Sequence, residues 1–274
     1  GYGVAIALYG FGGNWGPLAI GIVAALALSI ALALGIGLLS LRVRAIFFAM
    51  ITLAVASAFA VLASQLSDIT GGEDGRSYSV PALLRPSFRL LEEPVLGVTI
   101  GGRLISYYLV FVVALALFLL ALRLVNSPFG RVLQAIRENE FRAEAIGYRV
   151  VVYRSLANCV SAAMATLAGV LMALWLRYTG PDTTLSFSIM VDILLMVVIG
   201  GMGTLYGAVL GATLFILAQN YLQVLMGAVS SAAEGLPLIP LLFHPDRWLL
   251  WLGVLFVLSV YFFPTGIVGR LRQR

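Results

Sequence analysis

The stretch PLAIGIVAALALSIALALGIGLL, residues 17–39, runs for 23 positions without a charge. As a helix it extends about 35 Å, enough to cross a hydrocarbon layer of about 30 Å. Residues 45–64, 104–122, 155–176 and 204–226 are further uncharged stretches of similar length. A shorter one follows at 248–263, where Trp248, Trp251, Tyr261 and Phe262 take the place of interfacial aromatics. The composition agrees: 61% of the 274 residues are hydrophobic and 11% charged, and the mean hydropathy is +1.04. A soluble domain of this size needs far more charge to cover itself. The expected fold is therefore all-α, a polytopic transmembrane helical bundle forming one domain over residues 1–274.

Outside that set, residues 1–9 are apolar but too short to cross, and read as the tail of an earlier, incomplete span. A signal peptide is not expected there, since no Arg precedes Arg42 and the leading charge would be missing. Residues 187–200 contain Asp192 and at 14 positions are short for a span. They are needed as a crossing for the sides to alternate consistently, as a full span or as a broken, partly re-entrant helix. With them the expectation is about seven spans.

Several function classes drop out on residue types alone. All 17 basic residues are Arg, so there is neither a phosphate-cradling lysine nor a Schiff-base lysine. A single Cys159 forbids an internal disulfide, and with a single His244 it cannot make an ordinary zinc site, so no metal or cofactor is expected. The isoelectric point near 9.6 does not indicate nucleic acid. The arginines flank apolar spans, where the preference for positive charge on the cytoplasmic side accounts for them.

Counted on alternate sides of the spans, Arg42, Arg44, Arg123, Arg131, Arg137, Arg142, Arg149, Arg154, Arg270, Arg272 and Arg274 share one side with only three Glu. That side is expected to be cytoplasmic, with the C-terminus on it. The long connection at 65–103 lies on the other, outer face. His244 is expected in an outer loop without a catalytic role.

The segment 123–154 is a charged island among the spans. Ser127 followed by Pro128 is an N-cap with a first-turn proline, Asn139 can cap a second short helix with Glu140 near its positive end, and Gly147 can end it. Val132, Ile136, Ala143 and Ile146 offer a modest apolar face. Arg137, Glu138, Glu140, Arg142 and Glu144 offer charges. By physics alone two readings stay open: an amphipathic loop resting on lipid headgroups, or a docking element for a soluble partner.

Four motifs bear on that choice. The island reads Ser127-Pro128-Phe129-Gly130-Arg131, Ala135-Ile136-Arg137-Glu138-Asn139-Glu140 and Ala143-Glu144-Ala145-Ile146-Gly147. Arg42-Val43-Arg44 precedes Phe48-Ala49-Met50-Ile51-Thr52-Leu53, with Ala45 and Phe47 where a Gly and a Tyr are usual. Thr70-Gly71-Gly72-Glu73-Asp74-Gly75 and Ile199-Gly200-Gly201-Met202-Gly203-Thr204, with Gly207 and Gly211, complete the set. In this order they resemble the LivM-type permeases of branched-chain amino acid ABC transporters, with a weaker likeness after Gln219. The resemblance implies that the island docks on an ATPase subunit and transmits its closure to the membrane helices. It also implies at least one further span before Gly1.

Expected partners, on the same resemblance, are two ABC ATPase subunits that bind the ATP, a homologous LivH-type permease, and a soluble outer-face binding protein. The localisation implied is the cytoplasmic (inner) membrane of a bacterium or archaeon. The cargo implied is branched-chain amino acids first, with urea, short amides and aromatic acids in the same family's range. Residue roles follow by position. Arg137, Glu138, Asn139, Glu140, Ala143, Glu144 and Gly147 form the coupling loop, and Gly203, Gly207 and Gly211, four apart, form a helix-packing row. Thr70, Gly71, Gly72, Asp74 and Gly75 form a tight outer turn, either a plain hairpin connection or an outer gate and docking edge.

Thr52 and Ser57 could line a path or bond back to their own helix. Asp192 could be a functional intramembrane acid, or could reach the outer interface or pair with Arg177. An ion-coupled secondary transporter, or another small-solute permease, is the alternative, and the scarcity of intramembrane charge counts against the former. A membrane-embedded enzyme would need a His, Asp or Cys cluster at the membrane face, which the sequence lacks.

Overall fold

The computed structural model describes residues 1–40, 45–89, 101–201, 203–232 and 247–262. The motif at Arg42–Arg44, Met202, His244 and the C-terminal arginines lie outside the described residues. The long helices fall on the stretches where charge is scarce. They are α1 (Tyr2–Phe11), α2 (Trp15–Ser40), α3 (Ala45–Gln65), α5 (Gly102–Val125), α8 (Val150–Leu176), α10 (Phe187–Gly200), α11 (Leu205–Ala232) and α12 (Trp248–Phe262). Short helices α4 (Ser67–Thr70), α6 (Pro128–Glu138), α7 (Glu140–Ala145) and α9 (Pro181–Thr184) join them, with two-residue strands β1 (Arg76–Ser77) and β2 (Tyr178–Thr179).

Five helical stretches are long and apolar enough to cross a membrane: Trp15–Gly37, Gly102–Val125, Val150–Leu176, Pro181–Gly200 and Leu205–Ser231. A sixth is possible if α3 is counted with its continuation, which bends by 81° after Gln65. Seven were expected from the sequence. The difference lies in that bend and in α12, of which the described residues number 15, fewer than a full crossing needs. The segment that looked too short, α10, gains length from α9, and together they make a 20-residue stretch.

The contacts divide the chain into two compact units, Gly1–Ser186 and Phe187–Arg274. In the first, α1 and α2 form a hairpin through Gly12, whose φ of +88° suits glycine. Gly3 faces Ala25, and Gly21 faces Ala7 and Val4, so closely that a Cβ on either glycine would fall about 3 Å from its neighbour. The main core packs Val4, Leu8 and Leu18 against Tyr78, Val80, Leu84, Val170 and Leu174.

Along α2 and α8 two polar side chains cross between helices. Ser29 donates to the Ala162 carbonyl at 3.2 Å, and Asn158 donates to the Ala33 carbonyl at 2.9 Å. Four residues forward on α2 is four residues back on α8, so the helices run antiparallel. In the second unit, α10, α11 and α12 gather around Ile199, Phe215 and Leu252.

Candidate functional site

The charged island folds from its caps. Ser127 Oγ accepts from the Gly130 amide at 3.3 Å and donates to the Leu124 carbonyl at 2.6 Å. Pro128 stands in the first turn of α6. Gly130 is needed for the tight corner between α5 and α6, because a Cβ there would overlap the Val125 carbonyl. Asn139 is extended, with φ −157°. It ends α6 by donating its amide to the Ala135 carbonyl at 3.0 Å, and begins α7 by accepting from the Arg142 amide at 3.0 Å. Gly147, at φ +100°, ends α7. Its amide reaches the Glu144 carbonyl at 2.9 Å and the Tyr148 amide reaches Ala143 at 3.1 Å, the paired bonds of a left-handed helix cap.

The two short helices are fastened to the start of α8. Ile136 and Ala143 bury against Val150, flanked by Val132 and Tyr153. Tyr153 stacks on Phe129 at 5.9 Å and meets Tyr148 edge-on at 5.7 Å. Arg154 grips both carboxylate oxygens of Glu140 at 2.9 Å. Both partners are more than a third exposed, so the pair contributes under about 1 kcal/mol and serves mainly to fix geometry. Glu140 is thus occupied internally and is not a free charge offered outward. Arg137, Glu138, Arg142 and Glu144 are exposed.

One expectation for the loop needs correcting. Ile146 does not join the apolar face: it is 70% exposed. Helix α7 has only six residues, so a single position, Ala143, turns toward the base, and Ile146 lies beyond the last turn. At the other end of α7, Phe141 is 85% exposed. The element therefore exposes two large apolar side chains together with Arg131, Arg137, Glu138, Arg142 and Glu144, while the exposed Glu140 is held by Arg154.

The Thr70 to Gly75 segment is more than a turn. Thr70 Oγ1 lies 2.6 Å from both the Ala63 and the Leu66 carbonyls, its one proton serving one or shared between them, and it accepts from the Gly72 amide at 3.2 Å. Gly71, Gly72 and Gly75 all have positive φ. Gly75 packs on the backbone of Thr179 and Gly180, and Tyr178 donates to the Asp74 carbonyl at 2.8 Å. β1 then pairs antiparallel with β2. Tyr78 closes the cap, donating to the Ala173 carbonyl at 2.9 Å, with Thr179 Oγ1 at 3.0 Å. Burial pushes its phenol pKa up, opposed by the hydrogen bond with Thr179. Arg76 lies over the Tyr9 ring at 4.2 Å.

The glycine row is real but shifted. Gly207 and Gly211 lie on α11 and meet Gly200 at the end of α10, where a Cβ on Gly200 or Gly211 would overlap the backbone of the other helix. Gly203 is outside both helices, exposed, at φ +122°. The four-residue period in the sequence ran through a turn, so the third member of the contact is Gly200. Thr52 donates back to the Ala49 carbonyl at 2.9 Å, Ser57 is exposed on α3, and Asp192 is partly buried in α10. Arg177, the expected partner of Asp192, belongs to the other unit. Among the described residues no three His, Cys, Asp or Glu side chains gather as metal ligands.

A family model described as the permease component of the branched-chain amino acid transport system matches residues 1–260. The chain belongs to that family. It is 31% identical over 169 residues to the "Probable branched-chain amino acid transport permease protein LivM" of Methanocaldococcus jannaschii, covering 59% of this chain and 45% of that one. It is 29% identical over 219 residues to the high-affinity branched-chain amino acid transport system permease protein LivM of Salmonella typhimurium, covering 75% and 51%. The protein of the same name from Escherichia coli is 28% identical over 219 residues, with the same coverage. The chain thus spans about half the length of the curated relatives it matches. No solved structure matches it significantly.

The family is one of transport permeases and not an enzyme family, and the apolar helices agree with a multi-pass membrane protein. Sequence reasoning overlooked Phe141, because a lone aromatic inside a charge run looks like part of a solvated face. The signal lay in its neighbours: once Ala143 is assigned to the buried base, Phe141 must turn outward.

Proposed function

We propose that this chain is the membrane-spanning permease subunit of an ABC importer for branched-chain amino acids or related small amino-acid or amide solutes. Two separate ATPase subunits bind the ATP and drive it. A second, LivH-type permease completes the pathway, and a soluble binding protein delivers cargo at the outer face. The island at 123–154 and the C-terminus face the cytoplasm, and the Thr70 to Gly75 cap faces outward in the inner membrane. The observation that carries this reading is the α6–α7 element. It is capped at every end, tied to α8 by Ile136, Ala143, Val150 and the Arg154–Glu140 pair, and turns Phe141 and Ile146 outward among Arg137, Glu138, Arg142 and Glu144. Exposed apolar anchors ringed by charge suit a protein partner.

The test is to express the full-length protein with the ATPases, second permease and binding protein encoded beside it, and to measure uptake of labelled leucine and copurification of the ATPase. ATP-dependent uptake that vanishes when the permease is omitted is the expected result. An intact assembly that takes up leucine without ATP, driven by an ion gradient, would replace this reading with a secondary transporter.

A further inference from the structure

Helix α11 has three different sides. At 100° per residue, Gly207, Gly211, Phe215, Ala218 and Leu222 share one sector, and these are the residues packed toward α10 and α12. Leu210, Leu214, Leu217 and Tyr221 share a second, all exposed, as lipid would want. The third sector, about 120° wide, is mixed: it holds the exposed polar side chains of Thr213, Gln219, Asn220 and Gln223 together with the exposed Val209 and Ile216.

Depth makes the third sector unusual. The span runs from Leu205 to Ser231, so Gln219 and Asn220 sit at its middle, and Thr213 and Gln223 lie within about 8 Å of it along the axis. No carbon-chain solvent satisfies an amide at that depth. Thr213 donates to the Val209 carbonyl at 2.9 Å and Asn220 to the Ile216 carbonyl at 2.8 Å. These back-bonds spend side-chain donors on carbonyls of the same helix and leave the Asn220 amide oxygen open among the described residues. Gln219 and Gln223 make no hydrogen bond among the described residues. The packed sector shows how this helix makes a helix contact, with glycines and interlocking apolar groups. Long flexible amides are a different provision.

We propose that the Thr213, Gln219, Asn220 and Gln223 face of α11 lines a hydrated path through the membrane and hydrogen-bonds a small zwitterionic or amide solute on its way. This rests on the permease reading and names the surface it uses. The chemistry fits that class of cargo. Neutral amides offer an oxygen to an ammonium and an N–H to a carboxylate, yet hold neither as tightly as a full charge would, so the solute is passed on.

The experiment uses the full-length chain with its partner subunits, in a Cys159→Ala background, with single substitutions Asn220→Cys, Gln223→Cys, Leu217→Cys and Tyr221→Cys. The reagent is methanethiosulfonate ethyltrimethylammonium, which reacts only in water. Asn220→Cys and Gln223→Cys should react and be protected by leucine, whereas Leu217→Cys and Tyr221→Cys should not. The double variant Asn220→Leu with Gln223→Leu should lower leucine uptake by about tenfold while assembling normally on size exclusion.

An unsubstituted assembly that takes up neither leucine nor any other small amino-acid or amide solute overturns the permease reading and the path with it. A transporting parent in which Asn220→Cys and Gln223→Cys stay unreactive overturns the path alone. So does oxidative cross-linking of Asn220→Cys to the second permease without reagent labelling, which would make the face a helix interface.

Discussion

Gly147 has open space around it, with nothing within 4 Å of where a Cβ would lie, yet its φ is +100°. A side chain there fits sterically but strains the backbone by about 1 kcal/mol or more. Glu144 is the converse, an exposed charge on ordinary helix. If the loop couples, Gly147→Arg loosens the end of α7 and Glu144→Arg opposes docking. Both should lower the leucine transported per ATP hydrolysed while the protein remains inserted. Coupling unchanged in both would remove the loop from the mechanism. Phe141→Glu is the sharper case. Its side chain is 85% exposed, so the fold should lose less than about 0.5 kcal/mol, and copurification of the ATPase should fall. Retention of the ATPase at wild-type level would show that Phe141 is not an anchor.

At the level of elements, what the sequence made legible was whatever local chemistry fixes. The Ser127, Asn139 and Gly147 caps stand where expected, because a cap is decided by the residue and its own next turn. Packing was less legible. Gly203 matched the period of Gly207 and Gly211 but ends in a turn, and Gly200, the residue they actually meet, belongs to another helix whose approach no local pattern announces. The same limit hid Ser29 and Asn158, each unremarkable in its own span and joined only by the antiparallel match of α2 and α8. Gly207→Leu should therefore separate α10 from α11 and reduce the recovered, monodisperse assembly on size exclusion. Gly35→Ala, at a position open around its Cβ, should leave assembly unchanged. A fully assembled, active Gly207→Leu protein would mean the two backbones do not touch.

For the whole molecule, orientation decides which end meets which partner. Single cysteines at Glu73, Glu138 and Gln273, in a Cys159→Ala background, can be probed in intact cells with a membrane-impermeant thiol reagent. Glu73→Cys alone should label. Labelling of Glu138→Cys would put the charged loop outside, away from any ATPase. The spans themselves were readable because lipid tolerates so few side chains, and the uncharged runs left little choice. Their number was less so: the 81° bend after Gln65 follows from how Thr70 and the glycines beside it tie the chain down, which hydropathy does not record.

The two hydrogen bonds between α2 and α8 also limit how this part of the protein can change shape. Each is worth only about 0.6 kcal/mol, but they lie one turn apart and run in opposite directions, Ser29 donating to the Ala162 carbonyl of α8 and Asn158 to the Ala33 carbonyl of α2. Sliding one helix along the other would unseat both at once, and the next carbonyls on the same face come into reach only a full turn, about 5.4 Å, further on. Tilting the pair as a body breaks neither. A push received at Arg154 and Val150 would then reach α2 undiminished, through two helices that behave as one stiff lever and not as a pair of sliding rods.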